Sequence, residues 1–315
     1  MNDLEMRMID ALIDLRENYH VIGVKAEFEA EGTRLEEAMR LKEVVSKAGL
    51  DLTVKVGGCE AILDMYQARV IGVTHIVGPM VETPYALKKY LGAVKLAFPA
   101  EERNQVKFLI NLETIDAYRN FDRMLELEEI HDLDGIVLGR VDLTGSIGKT
   151  REYVNSPEIL GIARDIFSKA KSRNMECVVG GGVSKETVPF IKQLPEGYVD
   201  RYETRKIIFK CPDALNNDYE KGILSNPKFN MQIIELANSK NLLTIVYSRA
   251  KHLNYFNNAQ VIITTSKDAM KYSELSSGRE SLRLEEAGKL IIKSLNVCLM
   301  KLHLVLPIVV VDTLV

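Results

Sequence analysis

The chain has 315 residues, 46% hydrophobic and 27% charged, which is enough apolar material for one barrel with an appendage or for two domains. A net charge of −3, from 41 basic and 44 acidic residues, argues against nucleic-acid binding. Four scattered cysteines (Cys59, Cys177, Cys211 and Cys298) form no CxxC pair, so a zinc site or disulfide framework is not expected and a cytoplasmic setting is.

The first 18 residues, MNDLEMRMIDALIDLREN, are charged and helix-patterned, with no apolar core of a secretory signal. Short runs rich in Val and Ile then recur: VIGVKAEF (21–28), LTVKVG (52–57), VTHIVGPM (73–80), VKFLINLE (106–113), GIVLGRVD (135–142), CVVGGGV (177–183) and RKIIF (205–209). Helical patterns lie between them at 34–49, 82–98, 114–130, 156–173 and 184–194, with apolar residues three and four apart. Thr33, Thr83 and Ser156 are placed to cap helices, Pro84 suits a first helical position, and Gly49 suits a helix end. Strands alternating with crossover helices predict a parallel sheet covered on both faces. Seven such units without a GxGxxG fingerprint predict a TIM-type (β/α)8 barrel over 1–210, regular or irregular. The eighth strand is not evident; Thr244–Tyr247 and Gln260–Thr265 are candidates.

After residue 210 the composition turns polar and rich in Asn, Asp and Pro. Helical patterns over 229–252 and 280–302 suggest a mainly helical extension, 211–315, that packs on the barrel or on a partner subunit. The apolar tail Leu304–Val315 is too short to span a bilayer and is broken by Pro307 and Asp312, so no membrane role is expected.

Barrel active sites lie at the C-terminal ends of the strands. The residues that end the apolar runs are Glu27, Glu29, Lys55, Glu82, Glu113, and Arg140 with Asp142. Glu113 and Asp142, from adjacent strands, suit a hard divalent cation, Mg²⁺ or Mn²⁺, which needs few carboxylates and completes its shell with water and substrate oxygens. The plainer reading of any one such carboxylate is a helix cap or first-turn charge.

The surroundings favour the metal reading. GVTHIVGPMVETPYAL, LINLETIDAYRN and DGIVLGRVDLTGSIGK resemble, in that order along the chain, segments of the class II hydroxy-oxo-acid aldolase and citrate lyase β-subunit superfamily, the pyruvate- and phosphoenolpyruvate-binding barrels. The resemblance spans residues 21 to 183. It implies that Glu113 of Glu113-Thr114, and Asp142 of the Gly139–Gly148 loop, ligate the metal. It implies that the backbone around Gly139, Val141 and Asp142 binds a substrate carboxylate, with Glu82 of the PMVET motif nearby. The implied chemistry is carbon–carbon lysis through the enolate of a 2-oxo acid, an acyl-CoA or a sugar-acid compound, in a homo-oligomer.

Three positions depart from the family pattern. Lys55 stands where an arginine is usual, and supplies charge without the bidentate fork. Glu27 and Glu29 stand where a His or Asp is usual; either serves as base if burial raises its pKa. Arg140 replaces a proline, and either binds a substrate carboxylate or phosphate, or neutralises Glu113 or Glu82.

The run Gly180-Gly181-Gly182 reads as a phosphate cradle, with Gly181 central, or as close packing at a strand end, the more favoured reading. Arg201, Glu203 and Arg205 share a face at period two and form either a rim network or a solvated edge. His75, inside an apolar run, is expected to be a hydrogen-bonded core histidine. The expected function is a metal-dependent lyase. The alternatives are a barrel acting on phosphoenolpyruvate or another phosphorylated substrate, and a degenerate barrel acting as a binding or scaffold protein.

Overall fold

Among the described residues, each apolar run of the sequence supplies a strand and the amphipathic stretches between the runs supply helices laid against them. In the computed structural model the described residues are 1–223, apart from Asn2, Asn217, Asp218 and Lys221. After α1 (Asp3–Tyr19) come β1 (Val21–Glu27), α2 (Leu35–Lys47), β2 (Asp51–Lys55), α3 (Ile62–Ile71), β3 (His75–Gly78), α4 (Pro84–Ala97) and the short α5 (Ala100–Arg103). Then follow β4 (Lys107–Leu112), α6 (Ile115–Leu125), β5 (Gly135–Gly139), α7 (Arg140–Ser146), α8 (Pro157–Lys171), β6 (Glu176–Gly180), α9 (Thr187–Ile191), β7 (Arg201–Glu203) and β8 (Ile207–Lys210). The strands close into a barrel in chain order.

Strands β1 to β7 pair in parallel, but β8 pairs antiparallel with both β7 and β1. This answers the question of the eighth strand. RKIIF is not a seventh parallel strand: Arg201–Glu203 takes that place and the chain turns back at once. The amide of Thr204 donates to the Ile207 carbonyl at 2.9 Å, which puts Arg205 and Lys206 on the turn. The barrel therefore closes without Thr244–Tyr247 or Gln260–Thr265, which lie outside the described residues, as do the helical patterns beyond 223 and the apolar tail. Just past β8, Cys211, Ala214 and Ile223 are buried in the same core as the strands, and the Tyr202 hydroxyl donates to the Ala214 carbonyl.

The side-chain period of two divides each strand between two cores. One set (Val24, Ala26, Leu52, Val54, Ile76, Ile110, Ile136, Leu138, Val179 and Tyr202 among them) packs under the helices in the main cluster. The alternate set fills the barrel: Val77, Leu109, Val137 and Val178 form a small cluster from β3 to β6. On β1, β2 and β7 the same register carries charge instead: Lys25, Glu27, Lys55, Arg201 and Glu203 are all buried.

Side-chain caps open three of the described helices, α4, α6 and α8. Thr83, Thr114 and Ser156 accept from the amides of Ala86, Ala117 and Ile159. At α2 the cap is Arg34 rather than Thr33, because Glu37 reaches back and accepts from the Arg34 amide at 2.9 Å. The helical patterns named above omit α3. Its outer face carries exposed Leu63, Tyr66 and Val70, which blur the apolar stripe. Among the described residues no helix is long and apolar enough to cross a membrane.

Candidate active site

Glu113 follows β4 at the C-terminal rim and is almost wholly buried. Its Oε1 accepts from the Met80 amide at 2.9 Å, and its Oε2 from Asn111 Nδ2 at 2.8 Å. Met80 sits in the left-handed region, at φ 50°, where it offers that N–H. The fit around Glu113 requires a glycine on the next strand. A Cβ at Gly139 would lie 2.5 Å from Glu113 Cβ and 2.8 Å from its Oε2. Burial, with the nearby charge of Asp142, pushes the Glu113 carboxyl up, against the pull of Lys55. Asp142, in the first turn of α7, is exposed.

Lys55, at the end of β2, reaches this carboxylate. Its ammonium lies 2.9 Å from Glu29 Oε2 and 3.7 Å from Glu113 Oε2. Burial pulls its pKa down, but Glu113, Glu27 and Glu29 push harder, so the net shift is upward and Lys55 is a standing cation. Glu82 lies one step away and accepts from the Thr114 hydroxyl at 2.8 Å.

Glu27 is not the weakly acidic base that burial alone would make it. Arg205 Nη2 lies 3.0 Å from its Oε2 and Lys25 Nζ 3.3 Å from its Oε1. Burial raises its pKa, but Lys25, Arg205, Lys55 and Lys206 overcome that and hold it at about 2. The network continues through Lys25 to Glu203 at 2.6 Å, from Arg205 to Glu31 at 3.2 Å, and from Lys206 to Glu31. The reversed β7–β8 hairpin thus brings two cations to the mouth. Here the rim-network reading of 201–205 holds for Glu203 and Arg205, whereas Arg201 pairs with Glu176 at 2.6 Å. Glu29 remains more open, its side chain 30% exposed beside Lys55.

Arg140 departs most from expectation. Its side chain is fully buried and pairs with neither Glu113 nor Glu82; among the described residues no carboxylate lies within ion-pair distance of it. Nε donates to the Gly180 carbonyl at 3.0 Å, Nη1 to Asn155 Oδ1 at 2.6 Å, Nη2 to Thr187 Oγ1 at 3.2 Å, and the guanidinium stacks 5.0 Å over Phe190. It is therefore not free to grip a substrate carboxylate or phosphate. The glycine run serves packing: Gly181 has φ +69°, and a Cβ there would lie 2.5 Å from the Arg140 amide nitrogen and 2.7 Å from that of Val141.

Among the described residues no three His, Cys, Asp or Glu side chains converge to hold a metal ion. The Glu113–Asp142 pair still fits magnesium or manganese. Both ligands are hard oxygens, such ions retain several waters, and Glu113 is oriented by outer donors as a ligating carboxylate should be.

Residues 30–185 match the family model described as HpcH/HpaI aldolase/citrate lyase. They belong to that family. The HpcH/HpaI segment contains Lys55, Glu82, Glu113 and Asp142 but neither Glu27, Glu29 nor the 201–206 hairpin. Similar solved structures include an HpcH/HpaI aldolase from Desulfitobacterium hafniense DCB-2 (12% identity, 59% of this chain and 78% of that one, TM-score 0.48). Others are an HpcH/HpaI aldolase/citrate lyase family protein from Burkholderia cenocepacia J2315 (14%, 61% and 89%, 0.47) and the citrate synthase SbnG (15%, 59% and 78%, 0.46). At these identities and TM-scores the likenesses carry no argument about this chain. Among curated proteins none matches the sequence at significant similarity. The match supports an enzyme of aldolase/citrate lyase type.

Proposed function

We propose that the barrel mouth makes or breaks a carbon–carbon bond through the enolate of a 2-oxo acid or acyl thioester, with Glu113 and Asp142 holding Mg²⁺ or Mn²⁺. The observation that carries this reading is the approach of the Lys55 ammonium to Glu113, beside Asp142 and within reach of Glu29. A divalent cation there supplies Lewis-acid charge to the oxo oxygen. The backbone from Gly139 to Asp142 receives the substrate carboxylate. In the cleavage direction Glu29 takes the proton of the substrate C4 hydroxyl, whose oxygen forms the C4 carbonyl of the departing fragment. The bond between C3 and C4 breaks and its electron pair moves to the oxo oxygen, where the Lys55 charge stabilises the enolate. Return of the proton to C3 releases the 2-oxo acid. Glu27, held ionised by its cations, orients Lys25 and Arg205 and does not carry the proton.

Exchange of pyruvate methyl protons in D2O, followed by proton NMR, tests the enolate step without knowledge of the second substrate. The expected result is exchange by the wild type with Mn²⁺ or Mg²⁺, abolished by EDTA and by Glu113→Gln. Exchange that survives both treatments would contradict the reading.

A further inference from the structure

We propose that Arg140 is a positioning residue that sets the place of Asp142 relative to Glu113, an inference that rests on the metal reading above. A fully buried arginine is rare unless a carboxylate compensates it, and none does here among the described residues. Its nitrogens are used instead to tie three segments to its own. The Gly180 carbonyl ends β6, and Val154 and Asn155 belong to the turn at 151–155, with the Val154 carbonyl 3.5 Å from Nη1. Thr187 and Phe190 lie on α9. Thr187 Oγ1 also accepts from the Ser184 amide at 3.1 Å, so the anchor is itself fixed.

The residue so anchored lies two positions before Asp142. On its other side, Gly139 packs directly against the Glu113 side chain, where any Cβ would collide. Gly181 closes the same segment from behind, against the amides of Arg140 and Val141. Residues 139–142 are therefore held between Glu113 in front and the Arg140 clamp behind, which leaves little freedom in the spacing of the two carboxylates. Outer groups that orient ligands typically change metal affinity 10–100-fold when removed.

The experiment is a Mn²⁺ titration of the full chain, followed by EPR, with thermal unfolding measured in parallel. Arg140→Met is expected to raise the Mn²⁺ Kd about 10–100-fold, and Arg140→Lys, which keeps one donor, to recover part of the loss. A merely structural arginine predicts a lower Tm with unchanged Kd, and that result overturns the proposal. Should Arg140→Met fail to fold, Asn155→Ala and Thr187→Val each remove one acceptor. A weaker Kd in both supports the clamp, and wild-type Kd in both overturns it. A wild type that binds no Mn²⁺ overturns the metal reading and this inference together, whereas a binding wild type with an indifferent Arg140→Met overturns this inference alone.

Discussion

At the scale of residues, two neighbouring glutamates stand in different surroundings. Glu27 touches Lys25 and Arg205, which lower its pKa to about 2. Its replacement by Gln takes one of two carboxylate partners from each of Lys25 and Arg205, which keep Glu203 and Glu31, so a fall in Tm is expected. Glu29→Gln should leave Tm near wild type yet slow pyruvate proton exchange by about 10²–10⁴, the usual weight of a positioned base. A Glu27→Gln protein that is stable and inactive, beside an active Glu29→Gln, would reverse the assignment. Lys55→Ala should lose about 10²-fold or more in rate, as removal of a charge stabiliser does. Lys55→Arg should retain part of it; equal rates in wild type and Lys55→Ala would exclude the role. The sequence motifs brought out Glu113, Asp142 and Lys55 because each ends an apolar run. The direction of the Glu27 shift was hidden, since three of its four cations (Arg205, Lys206 and Lys55) stand far from it along the chain.

At the scale of elements, the parallel βα units were legible from periodicity because each strand is buried on both faces and each helix on one. The reversed β8 was not. A strand of four residues, reached by a tight turn, has the same composition whichever way it runs. Arg140 was misread for a related reason: a rim arginine and a clamped one look alike until the partners from β6 and α9 are in place. Gly181 tests that packing. Gly181→Ala puts a Cβ against the Arg140 amide in a left-handed backbone, and strain of this kind costs roughly 1–3 kcal/mol. Urea unfolding should show a lower midpoint with an unchanged slope. An unaltered midpoint would mean that the loop is looser than the structure has it.

At the scale of the whole molecule, buried titratable groups set the acid limit of stability. His75 is buried and bonded to the Thr74 hydroxyl, and burial, with Arg201 and Lys107 nearby, lowers it from 6.5 to about 3. The folded state thus holds it neutral while the unfolded chain takes up a proton below pH 6.5, so stability falls as pH falls from there towards 3. Glu27, lowered from 4.5 to about 2, adds a second loss below 4.5, because protons then favour the unfolded chain. Tm should therefore decline below pH 6.5 and more steeply below 4.5. His75→Asn should flatten the upper limb; the same slope between pH 6.5 and 5 in both proteins would remove His75 from the account.

Everything in the functional reading depends on one pair of carboxylates. A crystal of the full chain soaked with Mn²⁺ and oxalate, with data collected at the manganese edge, tests it most directly. The expected result is a single anomalous peak bonded to Glu113 and Asp142, with oxalate completing the shell near Lys55. A mouth without a peak at full Mn²⁺, or a peak held by other residues, would contradict it.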